Sequence, residues 1–438
     1  MTTHGGSLGP FEAVRELDYD APFPMMLPVR QKFDAPQVAD VRAATRDALE
    51  PLRGRITAGM TVAVTAGSRG IHDKPDALRT VGEWLRSVGA EPFLVPAMGS
   101  HGGATAEGQV ELLAELGITE QSMGMPIKAT METVDMGRVP DGPTAYLDAN
   151  AAAADGIIAV NRIKPHTDFN DDVESGLGKI VAIGLGKRRG AEGIHRYGPR
   201  NLGTWIPPVA HLLVEAGNIL GGVAIVENAY DRAAQVVFLD PSDIAGPGES
   251  RLLAEARDLM ATLPFDDLDV AVVDVLGKNM SGSGMDTNVI GRMMIRGSAE
   301  FERPRIANIA VLDVSDQSHG NAVGVGLADF VPFRVLERIN MRSVYINAMT
   351  AGLGGPQRAQ IPIALATDKA AVAAAILTCG RADLDQARVV RMHSTLHLEE
   401  LLVSASMREE VDAHDRLTVT GDPRQLSFDA DGTIEGWT

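Results

Sequence analysis

Residues 59–105 read "GMTVAVTAGSRGIHDKPDALRTVGEWLRSVGAEPFLVPAMGSHGGAT", and their periodicity sets the fold class. Thr61 to Thr65 is a short run rich in β-branched residues, the pattern of a buried strand. "PDALRTVGEWLRSVG" follows with apolar residues spaced along one helical face, Pro75 near its start and Gly89 just past its end. "EPFLVPA" then reads as a second strand. Strand, helix and strand form a βαβ unit, which requires parallel pairing through a right-handed crossover.

Outward from this unit the alternation continues. "TAEGQVELLAELG" is a helix closing on Gly117, and "DGIIAVNRIKPHTD" supplies another buried strand, Gly156 to Val160, that breaks at Lys164-Pro165. Upstream, "APQVADVRAATRDALEPL" suits an amphipathic helix, and the first twenty-eight residues read as an irregular lead-in. The composition changes near "LMATLPFDDLDVAVVDVLG", where Pro264 and its acidic neighbours mark a linker. Beyond it, "DLDVAVVDVLG", "IANIAVLDVSDQSHGNAVGVG" and "DKAAVAAAILTCG" open a second α/β unit. "ARVVRM" reads as its last strand and "STLHLEELLVS" as a helix capped by Ser394. The expectation is an α/β protein of two domains, 1–263 and 264–438, with mostly parallel sheets facing across a cleft.

Bulk properties narrow the function. A chain of 438 residues exceeds one ordinary core. Apolar residues make up 45% and charged residues 22%, without a run of eighteen apolar residues or a leader pattern, so a cytoplasmic protein is expected. Forty Lys and Arg against 58 Asp and Glu give a net charge of -18, which repels phosphate backbones and acidic membrane surfaces. Nucleic acid and membrane are therefore not expected partners. A lone cysteine, Cys379, excludes a disulfide framework and a Cys-based zinc site, and reads as a small core residue.

The chemistry-bearing residues gather after the N-terminal strands. The first strand leads into "GSRGIHD" with Arg69 and His72, the second into "MGSHGG" with His101, and the third into "NRIKPHTD" with His166. In an open parallel sheet, ligands bind outside the carboxyl ends of the strands, so these loops should converge. Of the other histidines, His4 and His414 read as solvent residues and His211 as a packing residue on a helix. His393 and His397 form an i, i+4 pair without an evident third ligand, and His319 follows a strand of the second domain. "ESGLGKIVAIGLGKRRG" (174–190) contains neither a Walker nor a Rossmann fingerprint. Its glycines, Gly176 and Gly178 among them, allow close backbone approach and free N–H donors for a phosphate, with Lys187 adding charge.

These residues resemble those of the nickel-dependent lactate racemase family, most closely from Thr61 to His195. The resemblance implies a nickel pincer nucleotide covalently tethered at Lys179 in "SGLGKIV", and a nickel ligand at His195, sixteen positions on. His101 and His166 are similar to the family's acid-base pair, and Arg69 to its substrate-binding arginine. His72, Gly176, Gly178 and Lys187 would line the nucleotide, and "GSGMDTNVIGR" would add Asp286 and Asn288. The implied activity is inversion of C2 of a 2-hydroxy acid by hydride transfer to and from that cofactor. Cofactor-biosynthesis proteins would be transient partners, and a homo-oligomer is compatible. Two departures, an acidic segment "TDFNDDVESGLG" (167–178) and Thr287 where the family has glutamine, point from lactate towards a longer hydroxylated substrate such as an aldonic acid. A nicotinamide-dependent oxidoreductase, disfavoured by the missing fingerprint, and a non-catalytic carrier of the nucleotide stay open as alternatives.

Overall fold

The computed structural model describes residues 9–198 and 201–437. His4 lies outside them. The chain divides into two compact units, one of residues 34–260 and one that combines 1–33 with 261–438. The break near residue 260 lies close to the expected linker, but the head of the chain does not belong with the residues that follow it. Within the expected lead-in, β1 (Met26–Gln31) begins, and it joins the sheet of the second unit, flanked by antiparallel partners on both sides. A domain running from residue 1 to 263 is therefore corrected to one beginning at Asp34.

The unit 34–260 is built on β2 (Thr61–Ala66), β3 (Glu91–Pro96), β6 (Gly156–Ile163), β7 (Ile219–Glu227) and β8 (Ala233–Leu239), with a separate hairpin of β4 (Thr133–Arg138) and β5 (Thr144–Asp148). The sheet order is β3-β2-β6-β7-β8; the first four strands are parallel and β8 closes the edge antiparallel. Strands so placed are covered on both faces, which explains their unbroken apolar runs. Successive side chains alternate between two cores. Val62, Val64, Leu94, Ile158 and Val160 face the helix Lys74–Ser87 through Leu78, Val81 and Trp84. Ala63, Val95, Ile157 and Ala159 face the helices Leu202–Ala216 and Pro247–Leu259. The expected βαβ unit is present, with Pro75 in the first turn of its helix and Gly89 beyond its end at φ +87°.

In the other unit, β9 (Asp267–Val273), β10 (Arg305–Val311), β11 (Phe330–Pro332), β12 (Ile363–Leu365) and β13 (Val389–Ser394) are parallel. β14 (His397–Ser404), β1 and β15 (Leu417–Val419) extend the sheet antiparallel, in the order β12-β11-β10-β9-β13-β14-β1-β15. Both units are thus α/β. The expected helix over "STLHLEELLVS" is instead β14. Its leucines fit helical and strand periods alike, and pairing with both β13 and β1 decides between them. Ser394 makes a turn rather than a helix cap: its hydroxyl meets His397 Nδ1 at 2.8 Å and accepts the Leu396 N–H at 3.2 Å. His393 and His397 end up exposed beside that turn, ring centroids 5.4 Å apart. His211 is exposed on its helix and is not a packing residue, and His319 is exposed too. Cys379 is buried as expected.

A buried ion pair ties the hairpin to the first sheet. Lys187, at the start of the helix Lys187–His195, reaches Asp148 at the end of β5 at 3.0 Å, and both side chains are fully buried. The same Nζ donates to the Pro96 carbonyl and, at 3.1 Å, to Gln109 Oε1. Burial lowers the Lys187 pKa and raises that of Asp148, with the mutual attraction opposing each shift. Replacing Lys187 by Met should leave the carboxylate uncompensated and destabilise the protein by about 3–5 kcal/mol. Denaturant unfolding tests this, and the further change Asp148→Asn should recover part of the loss; an unchanged midpoint in K187M would show that the pair contributes nothing.

Candidate functional site

Strand order decides where the loops meet. β2 lies between β3 and β6, so the chain leaves β2 towards one side and later arrives at β6 on the other. Loops at such a reversal diverge and leave a space at the carboxyl ends of the strands. The loop after β2 carries Arg69. It is held from beneath by Lys74, a buried side chain whose Nζ donates to the carbonyls of Gly67 at 2.9 Å and Arg69 at 2.5 Å. Burial pushes that amine down to about 7.

The loop after β3 turns through Gly99 and Gly102, both at positive φ; a Cβ on Gly102 would lie 2.5 Å from the backbone of Gly108. Gln109 Nε2 holds the Gly99 carbonyl at 2.9 Å and its Oε1 meets Lys187, so the buried ion pair also props this turn. His101 sits at its tip. Its Nδ1 lies 2.7 Å from the Met98 carbonyl, which can only accept, so Nδ1 carries the proton and Nε2 presents a lone pair. Desolvation by the surrounding protein, then Arg69, pushes this imidazole down to about 4, while the residue as a whole is exposed.

After β6, Lys164 and Ser175 pair through their backbones and close the excursion 165–174. Glu174, buried at its base, accepts the His166 N–H and, at 2.9 Å, the Asp171 N–H, and it is bound by Arg257. His166 packs against Phe169 with centroids 4.6 Å apart. Its Nδ1 accepts the Asp168 backbone N–H at 3.0 Å. An amide cannot give up that hydrogen, so the neutral ring carries its proton on Nε2, the opposite tautomer to His101. Burial, followed by Lys179, holds the His166 pKa well below the usual histidine value.

The His166 Nε2 contacts Lys179 Nζ. With the hydrogen on Nε2, the contact is a hydrogen bond only if the amine accepts, so the geometry favours a neutral lysine. The amine's pKa agrees in direction: burial brings it down to about 8, Asp168 opposes the shift and Arg69 adds to it.

Lys179 stands at the end of a glycine turn that does not serve the purpose expected of it. The Gly178 N–H donates to Glu249 at 2.9 Å, and the Ala245 N–H binds the same carboxylate at 2.7 Å. A Cβ on Gly176 would come within 2.0 Å of Glu249 Oε1, and one on Gly178 within 2.6 Å of the Ala245 Cβ. The glycines thus admit an internal carboxylate where a phosphate was expected. Burial raises Glu249 to about 7 against these N–H donors.

Arg69, His101, His166, Lys179 and His195 form one electrostatically coupled group. Arg69 and His195 both bear on His101 and His166, and Lys179 bears on all three histidines. His195, at the end of its helix, is itself lowered by burial and then by Lys179. Three other expected site residues are not available as read. His72 is half exposed, beside Asp73 and bonded to Arg232. Lys187 is fully enclosed and cannot meet a ligand phosphate, and the Gly178 N–H is engaged. Asp286 and Asn288 belong to the other unit, where Asp286 accepts the Asn288 backbone N–H at 3.0 Å and side-chain N–H at 2.9 Å. Among the described residues, no three His, Cys, Asp or Glu side chains gather as a metal site.

Asp168, Glu174, Glu249 and Lys74 were not singled out in the sequence. Only Asp168 carried a signal there, as the acid two positions after a strand-end histidine.

No family model and no curated protein matches the chain. Among solved structures it is similar to a structural-genomics protein from Thermotoga maritima, with 12% identity and a TM-score of 0.44, over 73% of this chain and 81% of that one. It is also similar to the lactate racemase apoprotein from Thermoanaerobacterium thermosaccharolyticum, with 11% identity and a TM-score of 0.42, over 79% of this chain and 99% of that one. At these values neither likeness carries an activity, a cofactor or a substrate across. No helix among the described residues is long and apolar enough to cross a membrane.

The neutral fraction of Lys179 should rise with pH through about 8. Its labelling by trinitrobenzenesulfonate, followed on the tryptic peptide by mass spectrometry, should show a midpoint there, whereas an ordinary lysine titrates near 10.4. A midpoint above 10 would refute the neutral-amine reading. Glu249→Ala, which strands buried N–H donors, should cost about 1–3 kcal/mol in urea unfolding and slow that labelling at pH 8.

Proposed function

We propose that the unit 34–260 carries the catalytic centre of a racemase or epimerase that inverts C2 of a 2-hydroxy acid. The observation that supports it most is that His101, with an Nε2 lone pair, and His166, from a different strand-end loop, share one electrostatic group with Arg69. Inversion needs a base for the substrate hydroxyl on one side and an acid on the other, in roles that exchange with direction.

In this reading Arg69 binds the substrate carboxylate through its fork of donors. His101 Nε2 receives the hydroxyl proton of one enantiomer and becomes imidazolium; His166 gives a proton to the 2-keto oxygen as the other forms only after its Nδ1 leaves the Asp168 N–H and is protonated, so that it enters the step as imidazolium and ends neutral. The bound carboxylate offsets the positive field of Arg69, which raises both imidazole pKa values towards the working range.

The residues fit a nickel pincer nucleotide in two respects: a neutral-leaning amine at Lys179 suits an acyl tether, and His195 offers one imidazole to a metal that brings its other ligands with it. When bound, such a group supplies a two-electron acceptor for the hydrogen at C2. The glycine turn gives no seat for the nucleotide phosphate, because Glu249 occupies it. The acidic stretch after His166 favours a substrate with several hydroxyl groups, such as an aldonic acid, over lactate.

Protein produced together with the cofactor's biosynthetic enzymes should invert a member of a 2-hydroxy acid panel in D2O with little deuterium at C2. His101→Ala and His166→Ala should each lower kcat by about 10²–10⁴-fold. Deuterium entry at C2 in proportion to inversion, or turnover with free NADH, would overturn the reading. So would protein without nickel and without a mass increase on the Lys179 peptide.

A further inference from the structure

A cavity of about 360 Å³ lies beside the helix Lys187–His195, lined in part by Arg138, Arg189, Arg196, Tyr146 and Tyr197. Three arginines from two pieces of chain line it: Arg138 at the end of β4, Arg189 in the first turn of the helix, and Arg196, the residue that follows it. Arg138 spends its Nε on the Gly142 carbonyl at 2.9 Å, and Arg189 lies over the Tyr146 ring at 4.4 Å. None of the three is in an ion pair among the described residues. Glu192 also lines the cavity, but Arg188 holds its carboxylate at 2.6 Å.

This is unusual in a chain of net charge -18. The other unit has a larger cavity, about 760 Å³, with four arginines on its wall, and there each one answers an acid. Arg305 binds Asp267, Arg381 binds Asp269, Arg388 binds Glu410 and Arg292 binds Asp329. Of these two cavities, the smaller one keeps its arginines without an acidic partner among the described residues.

We propose that the smaller cavity is a binding site for a phosphate-class dianion, either free phosphate or a phosphomonoester, separate from the Lys179 group. One guanidinium fork saturates a planar carboxylate, whereas several forks around one cavity suit the oxygens of a tetrahedral dianion. On the helix, Arg189, Gly193 and Arg196 share one face, and His195 lies about 100° round from Arg196. An occupant would therefore brace the helix that carries His195 without entering the Lys179 group. The inference does not depend on the proposed activity.

The test is calorimetric titration of the full chain with inorganic phosphate and, separately, adenosine monophosphate at low salt. Binding at one site is expected, and Arg189→Ala and Arg196→Ala should each raise Kd about tenfold or more. Arg196→Lys should recover only part of the affinity, because it restores charge without the fork. Lys179→Ala and Arg69→Ala should leave Kd unchanged. Tighter binding of the nucleotide than of phosphate would identify a phosphomonoester as the ligand, and equal binding free phosphate. These arginines are exposed, so circular dichroism and thermal melting should confirm that the variants stay folded. Absence of binding at millimolar concentrations overturns the proposal. So does binding that Lys179→Ala or Arg69→Ala abolishes while the Arg189 and Arg196 variants keep it.

Discussion

The pairing of β6 against the free side of β2 is the constraint on which the site depends. Had β6 been added beyond β3, the loops after β2 and β6 would be separated by a strand, and Arg69 would not share a field with His166 and Lys179. Because the sheet reverses direction at β2, its loops part there, and three stretches of chain far apart in sequence place side chains in one group. Each loop is then fixed by its own buried polar anchor. Lys74 holds the first, Gln109 with Lys187 the second, and Glu174 with Glu249 the third and its glycine turn.

These anchors share a physical logic. Each is a charged or amide group taken out of water and matched to backbone carbonyls or N–H groups that would otherwise go unsatisfied. Burial shifts the protonation equilibria of the ionisable anchors: Lys74 and Glu249 both titrate near neutrality, yet neither belongs to the group proposed to meet a substrate. Perturbed equilibria therefore do not by themselves mark catalytic residues in this protein. At His101 and His166, two backbone groups set the neutral tautomers in opposite senses.

Much of the site was legible in the residues, for reasons of position. A polar or glycine-rich stretch after a buried strand identifies a strand-end loop without reference to the rest of the chain, and so Arg69, His101 and His166 could be named as candidates; Lys179 was named through the resemblance to the lactate racemase family. Lys187 shows where such reading fails. A lysine beside two arginines and among glycines looks like phosphate-binding sequence, and nothing local indicates that Asp148, thirty-nine positions earlier, captures it in the core. The glycines at 176 and 178 mislead likewise, because close backbone approach is needed for a carboxylate seventy-one positions beyond Gly178. At "STLHLEELLVS" the leucine spacing fits two periods, and strands on either side choose between them.

From the chain alone came the α/β class, the βαβ unit at 61–96, the strand-end loops and their reactive side chains, because each rests on local periodicity and turn chemistry. Only the tertiary structure decided that the first strand joins the sheet of the second unit, which loops are neighbours, and which charged groups are consumed by the core. The physical reason is that strand order and burial depend on pairings between residues tens to hundreds of positions apart. A single side chain has the same chemistry whether its partner will be water, a carbonyl or a buried carboxylate, and only the fold supplies that partner.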